Sequence, residues 1–250
     1  MDTKRFEDYS EVTYNNYGSI GTRERELAVS QAFPALIRKV YLWMAMALVI
    51  TGLSAYFVAT SPALVNAIFG NQIIFWVLIL GELGLVIGLS AAINWLSLAT
   101  ATLMFVLYSV VNGVTLASIF FVYTMSSIAS VFFITAGTFA VMAAYGYFTN
   151  KDLTSWGRIL FMALIGIIIA SVVNIFVGSS GLNLIVSYLG VLIFVGLTAY
   201  DSQKIKEMLL TAPDAGEGMQ KLALLGALSL YLDFINLFLY LLRIFGSKRD

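Results

Sequence analysis

The chain contains no cysteine and no histidine. The first absence removes disulfides, thiolate metal sites and cysteine nucleophiles, and leaves the redox compartment unmarked. With histidine missing as well, a zinc or haem centre, a Ser-His-Asp triad and a histidine proton relay are all excluded. Charge is scarce too: Asp, Glu, Lys and Arg make up 11% of 250 residues, against about a quarter in a soluble domain. The 14 basic residues are balanced by 14 acidic ones and fall in short clusters. No basic face is left to hold a polyanion, so nucleic acid is not an expected partner.

Apolar residues take the place of charge. They account for 60% of the chain, with 18 Phe, 13 Tyr and 4 Trp, and the mean hydropathy is +0.90. A water-soluble globule cannot hide that much apolar surface, so the sequence is that of an integral membrane protein.

Only the first 35 or so residues form a long polar stretch, carrying Lys4, Arg5, Glu7, Asp8, Glu11, Arg23, Glu24, Arg25 and Glu26. The stretch has no apolar centre and is therefore not a signal peptide. We read 1–35 as a polar cytoplasmic arm, 36–246 as the membrane domain and 247–250 as a short tail. Positions 40–150 hold one formal charge, Glu82, and a spanning helix needs about 20 apolar residues. Breaks at Thr60-Ser61-Pro62, at Ala92-Ile93-Asn94-Trp95 and at Tyr123 to Ser127 divide that stretch into helices near 36–59, 68–91, 96–122 and 127–148. A polar turn from Lys151-Asp152 to Arg158 follows. Three further runs lie near 159–178, 182–203 and 221–243, separated by Gly178-Ser179-Ser180-Gly181 and by a loop with Pro213, Asp214, Gly216 and Glu217.

The period-2 alternation of a β-barrel is absent: 165–170 and 189–195 are unbroken apolar runs, for which closed helical hydrogen bonding is the solution in lipid. The expected fold is an all-α bundle of seven transmembrane helices. With the N-terminus inside, the cytoplasmic segments hold six, none, two and three basic residues, and the loops after helices one, three and five hold none, as the positive-inside rule requires. Seven full crossings place the tail, with Arg243, Lys248 and Arg249, outside. A re-entrant last segment would keep all 14 inside, but 222–242 is long enough to span.

An acid deep in the bilayer is costly and is a candidate site by default. Three qualify: Glu82 in the second segment, Asp201 late in the sixth and Asp233 well inside the seventh. On the last helix Asp233, Asn236 and Tyr240 share one stripe. Each residue alone also has a structural reading. Asp233 and Asn236 can serve as interhelical glue, Asp201 can mark an interfacial end with Lys204 and Lys206, and Glu82 can pair with a backbone or hydroxyl group. Their combination argues for a site, because a short loop makes helices six and seven antiparallel neighbours and points both aspartates into one bundle. Two such carboxylates cannot both ionise easily, so they share a proton and sense pH. Ionised, they form an oxygen-rich site suited to Ca²⁺. No Lys or Arg occurs between 39 and 151 or between 221 and 243, which also removes the Schiff-base lysine of a retinal pigment. Gly81, Gly84, Gly88, Gly137, Gly166 and Ala170 are expected to permit close helix packing.

Gly196-Leu197-Thr198-Ala199-Tyr200-Asp201-Ser202-Gln203, followed by Ala227-Leu228-Ser229-Leu230-Tyr231-Leu232-Asp233-Phe234-Ile235-Asn236-Leu237-Phe238, resembles the Bax inhibitor (transmembrane Bax inhibitor motif) family. Arg38-Lys39-Val40-Tyr41, Thr135-Ala136-Gly137-Thr138-Phe139, Tyr145-Gly146-Tyr147 and Lys151-Asp152-Leu153 extend the likeness over about 35–246. The resemblance implies a central seventh helix, a calcium leak with pH dependence and, in eukaryotic members, suppression of cell death. It maps the family's aspartate pair onto Asp201 and Asp233. Beside that pair, Glu82, Asn236, Tyr200 and Gln203 are the candidate accessory polar groups of this chain. The resemblance also implies a second class of role, binding and modulating a membrane protease or another partner. The tail lacks a lysine-rich end, as in a bacterial member of the inner membrane. Two departures stand out: the 207–220 loop reads as longer than in compact members, and a basic partner for the acids in an early helix is missing. An intramembrane aspartyl protease also pairs two aspartates, but 230–233 lacks the Gly-x-Gly-Asp glycines. No inverted repeat marks a secondary transporter. The expectation is therefore a non-enzyme without cofactor, whose partners are lipid, protons and Ca²⁺.

Overall fold

A computed structural model describes the backbone over residues 3–212 and 216–249, and side chains from Leu27 onward within those ranges. The polar arm expected over 1–35 thus falls largely outside the described side chains, as do Pro213 and Asp214 of the expected loop. The elements are α1 (Thr3–Thr60), α2 (Pro62–Phe69), α3 (Gln72–Ala92), α4 (Leu98–Leu116), α5 (Ile119–Val122), α6 (Met125–Phe148), α7 (Thr154–Val177), α8 (Ser180–Leu210) and α9 (Glu217–Phe245). Among the described residues, seven helical segments are long and apolar enough to cross a membrane, with α4 and α5 counting as one. The protein is a multi-pass membrane protein.

Local chemistry explains the breaks. Pro62 opens α2 at the position where its missing N–H costs nothing. Side chains cap the next starts: Asn71 accepts from Ile73 N at 2.9 Å, Ser97 from Thr100 N at 3.1 Å and Ser179 from Leu182 N at 3.2 Å. α7 ends on Gly178 at φ 66°, a left-handed conformation that glycine adopts without strain. Two expected boundaries move. α8 continues to Leu210 and α9 begins at Glu217, so most of the 207–220 loop is helix and Asp201 lies well inside α8. α7 begins at Thr154, which places Arg158 on a helix rather than in the turn.

The seventh span is the centre. In its most apolar window 67% of the residues are buried, against 6% in α3 and 6% in α7, and α8, α1, α6 and α4 pack around it. Contacts at both ends show that α9 traverses the bundle completely. At its start Glu217 Oε1 accepts from Leu98 N, at the beginning of α4, at 2.9 Å. Past its end Arg249 N donates to the Val122 carbonyl at 2.9 Å and Thr124 N to the Ser247 carbonyl at 3.1 Å, beyond α5. A re-entrant segment would return to the first end.

The close helix contacts are not where the small-residue pattern put them. Gly81, Gly84, Gly137 and Gly166 have nothing within 4 Å of an added Cβ, and Gly88 would only touch the tip of Met104. These positions face outward or gaps, so the expectation fails there. Tight backbone contacts lie instead at Gly113, where α4 meets the Thr51 carbonyl of α1, and at Gly146, where α6 lies against the Ala199 carbonyl of α8 and a Cβ would overlap it.

Candidate functional site

The Gly146 contact starts a row of attachments that fixes one face of α8 against α6. Ala199, Ser202, Gln203 and Lys206 share that face by helical spacing. Ser202 Oγ donates to the Ala143 carbonyl at 2.8 Å and bonds the Tyr41 hydroxyl of α1 at 3.0 Å. Gln203 Nε2 donates to the Lys151 carbonyl at 2.8 Å, and its Oε1 accepts from Leu153 N at 2.8 Å. Lys206 Nζ donates to the Tyr147 carbonyl at 2.9 Å. Gln203 is therefore a clamp on the α6–α7 turn, away from the acids, and not part of their polar stripe.

The opposite face of α8 carries Leu197, Tyr200, Asp201 and Lys204 into a cavity of about 800 Å³ between α7, α8 and α9. Asp233, Asn236 and Tyr240 line it from α9, and Arg158 from α7. The carboxyl groups of Asp201 and Asp233 meet here side chain to side chain. Asp201 Oδ2 accepts from Ser229 Oγ at 2.6 Å, the short distance of a charge-assisted bond. Asp233 is 4% exposed, and its Oδ2 is buried with no partner among the described residues. Asn236 lines the cavity with its amide donating back to the Leu232 carbonyl at 2.8 Å. Tyr200 packs its ring on Gly157, where a Cβ would collide with it, and Lys204 sits 5.8 Å above that ring.

The charges around the pair come from several elements. Lys204 on α8 acts on Asp201, Arg158 stands on the α7 wall and Tyr240 on the α9 wall. Lys206 turns away to α6, and Lys39 of α1 donates to Gln220 Oε1 at 3.3 Å. No ion pair to either aspartate occurs among the described residues. Asp152, in the turn outside the spans, has its carboxyl held below the ordinary range by the Thr154 hydroxyl and N–H, with Arg158 adding to the effect. Arg158 thus acts on Asp152 and also lines the cavity.

Glu82 is not part of this site. It lies beside Thr115 and Asn112 of α4, with Oε1 buried and unpartnered among the described residues. Asn112 Oδ1 accepts from the Tyr231 hydroxyl at 2.9 Å, and that hydroxyl is 2.7 Å from Thr51 Oγ1, which reaches the Ser109 carbonyl at 2.9 Å. Two residues turn a helix by about 200°, so Tyr231 and Asp233 project from opposite sides of α9. The central helix joins a polar network on one side to the acid cavity on the other. Ser229, Arg158 and the Glu82 network were not singled out from the sequence. Ser229 had a signal, one turn before Asp233; the other two depend on which helices become neighbours.

A bundle of seven spans closed around a central helix, with two interacting acids inside it, defines a polytopic helical membrane protein with an intramembrane carboxyl site. Residues 34–250 match the family described as inhibitor of apoptosis-promoting Bax1, and the chain belongs to that Bax inhibitor family. It is 51% identical over 213 residues to the inner membrane protein YbhL of Escherichia coli, covering 84% of this chain and 91% of that one. A protein of Borreliella burgdorferi is 48% identical over 227 residues, covering 91% and 97%. The protein RP147 of Rickettsia prowazekii is 39% identical over 236 residues, covering 93% and 98%.

Proposed function

We propose that the protein is a pH-sensitive calcium leak of the bacterial inner membrane, with Asp201 and Asp233 as the proton-sensing and ion-binding pair. The observation that carries this reading is the meeting of the two carboxyls inside one cavity. Paired acids in such a place hold a proton between them, and the proton bond ties α8 to α9. Ionisation loosens the tie and presents two carboxylates, together with Ser229 Oγ, to a hard cation. Proton and Ca²⁺ then compete for the same oxygens. A bond of this kind is worth about 1–2 kcal/mol in a membrane, enough to bias a two-state element about tenfold. The basic distribution supports a cytoplasmic N-terminus, which puts the Arg158 and Lys204 rim on the cytoplasmic side.

Calcium flux into liposomes holding the purified full chain, measured from pH 6 to 8, tests the reading. The wild type is expected to carry a pH-dependent flux, and Asp201→Asn and Asp233→Asn each to flatten its pH dependence. A pH profile unchanged in both variants would rule out the pair as sensor.

A further inference from the structure

The cavity has a floor. From its basic rim the lining runs past Asp201 and Ser229, then Asp233 and Asn236, and stops at Tyr240 and Phe194. Tyr240 lies seven residues beyond Asp233, about 10 Å deeper along α9. Its ring stacks on Phe194 of α8 with centroids 5.9 Å apart and planes inclined 28°. The ring also rests directly on the α8 backbone at Gly190, where a Cβ would come within 2.6 Å of its carbons. No space for water is left between ring and helix at that level. From the far side the Arg243 guanidinium lies 5.3 Å over the same ring and braces it. Ser187, Phe194 and Asp201 recur at seven-residue spacing, so they share one α8 stripe. Ser187, next beyond Gly190 on that stripe, is buried and outside the cavity.

We infer that the Tyr240–Phe194 stack, seated on Gly190, is the closure that separates the aspartate cavity from the opposite face of the membrane. This rests on the leak reading for its purpose, but not for its geometry. An aromatic constriction of this kind closes a pathway by excluding water, and moving the ring opens it. The acids act about two turns above the stack on the same two helices. Separating α8 from α9 at Asp201 and Asp233 therefore lifts Tyr240 off Gly190, which couples sensor to closure through two rigid helices.

The chain's lack of cysteine makes the closure measurable in the full-length protein. Single cysteines are introduced as Asn236→Cys above the stack and Ser187→Cys below it. A membrane-impermeant methanethiosulfonate reagent is then applied to liposomes from the side of the α6–α7 turn. The expected result is modification of Asn236→Cys in every background. Ser187→Cys should be protected with Tyr or Phe at 240, and modified at least about tenfold faster in Tyr240→Ala. Modification of Asn236→Cys in the Tyr240→Ala background shows that the cavity itself survives the substitution. Three results would overturn the inference: rapid modification of Ser187→Cys with Tyr240 in place, continued protection in Tyr240→Ala, or failure to modify Asn236→Cys. Calcium flux distinguishes the two proposals. If Ser187 becomes reachable as expected while no variant passes Ca²⁺, the leak reading fails and the closure stands. If wild type leaks and Tyr240→Ala leaks no more than Tyr240→Phe, the closure fails and the leak stands.

Discussion

Replacing Gln203 tests how α8 is held in the register that brings Asp201 to Asp233. Its side chain is 7% exposed and bridges the α6–α7 turn with two bonds of 2.8 Å, one donated and one accepted. Each neutral bond contributes about 0.5–1.5 kcal/mol net, and a buried donor left alone costs about 1–3 kcal/mol. Gln203→Leu keeps much of the volume, removes both bonds and strands the N–H of Leu153, itself buried. The total is about 2–4 kcal/mol, or about 30- to 1,000-fold in the unfolding equilibrium. Reversible unfolding of the full chain in mixed micelles, followed by near-UV circular dichroism, should show that loss. Equal stability of wild type and Gln203→Leu would refute the clamp.

Two further outcomes follow from the geometry. Tyr231→Phe removes the hydroxyl that joins Asn112 to Thr51 in a wholly buried position, and should cost about 1–3 kcal/mol in the same unfolding assay. Because the residue faces away from the acids, the pH profile of the flux should keep its shape; a displaced profile would mean that the Glu82 network and the acid pair are one system. Deletion of residues 1–26 should leave calcium flux unchanged, since every group of the site lies beyond them; loss of flux with the bundle still folded would place part of the pathway in the arm.

Much of this architecture is legible in the amino-acid order, for a physical reason. Lipid removes the option of an unpaired backbone, so apolar length alone specifies spans, and the breaks at Pro62, Ser97 and Gly178 are caps or turns that can be read locally. The cost of a buried acid likewise selects Asp201 and Asp233 before any coordinates. Periodicity identifies residues that share a face of one helix, but it does not tell which neighbour that face meets. The glycines of α3 form an attractive packing pattern, yet α3 is among the least buried spans, while close contacts fall at Gly146 within the Tyr-Gly-Tyr motif and at Gly113 and Gly190. Gln203 sits two residues from Asp201 in sequence and on the other side of α8 in space. Arg158 reads as turn because its polar neighbours Lys151 and Asp152 precede it, although α7 starts soon enough to carry it onto the cavity wall.

The central claim is that Asp201 and Asp233 share one proton inside the membrane. Infrared difference spectroscopy of the full chain in liposomes, titrated through neutral pH, observes the carbonyl stretch of a protonated carboxyl group directly. The account predicts a band that titrates with the pH response of the flux and disappears or moves in both Asp201→Asn and Asp233→Asn. A spectrum in which no such band depends on either aspartate would contradict it.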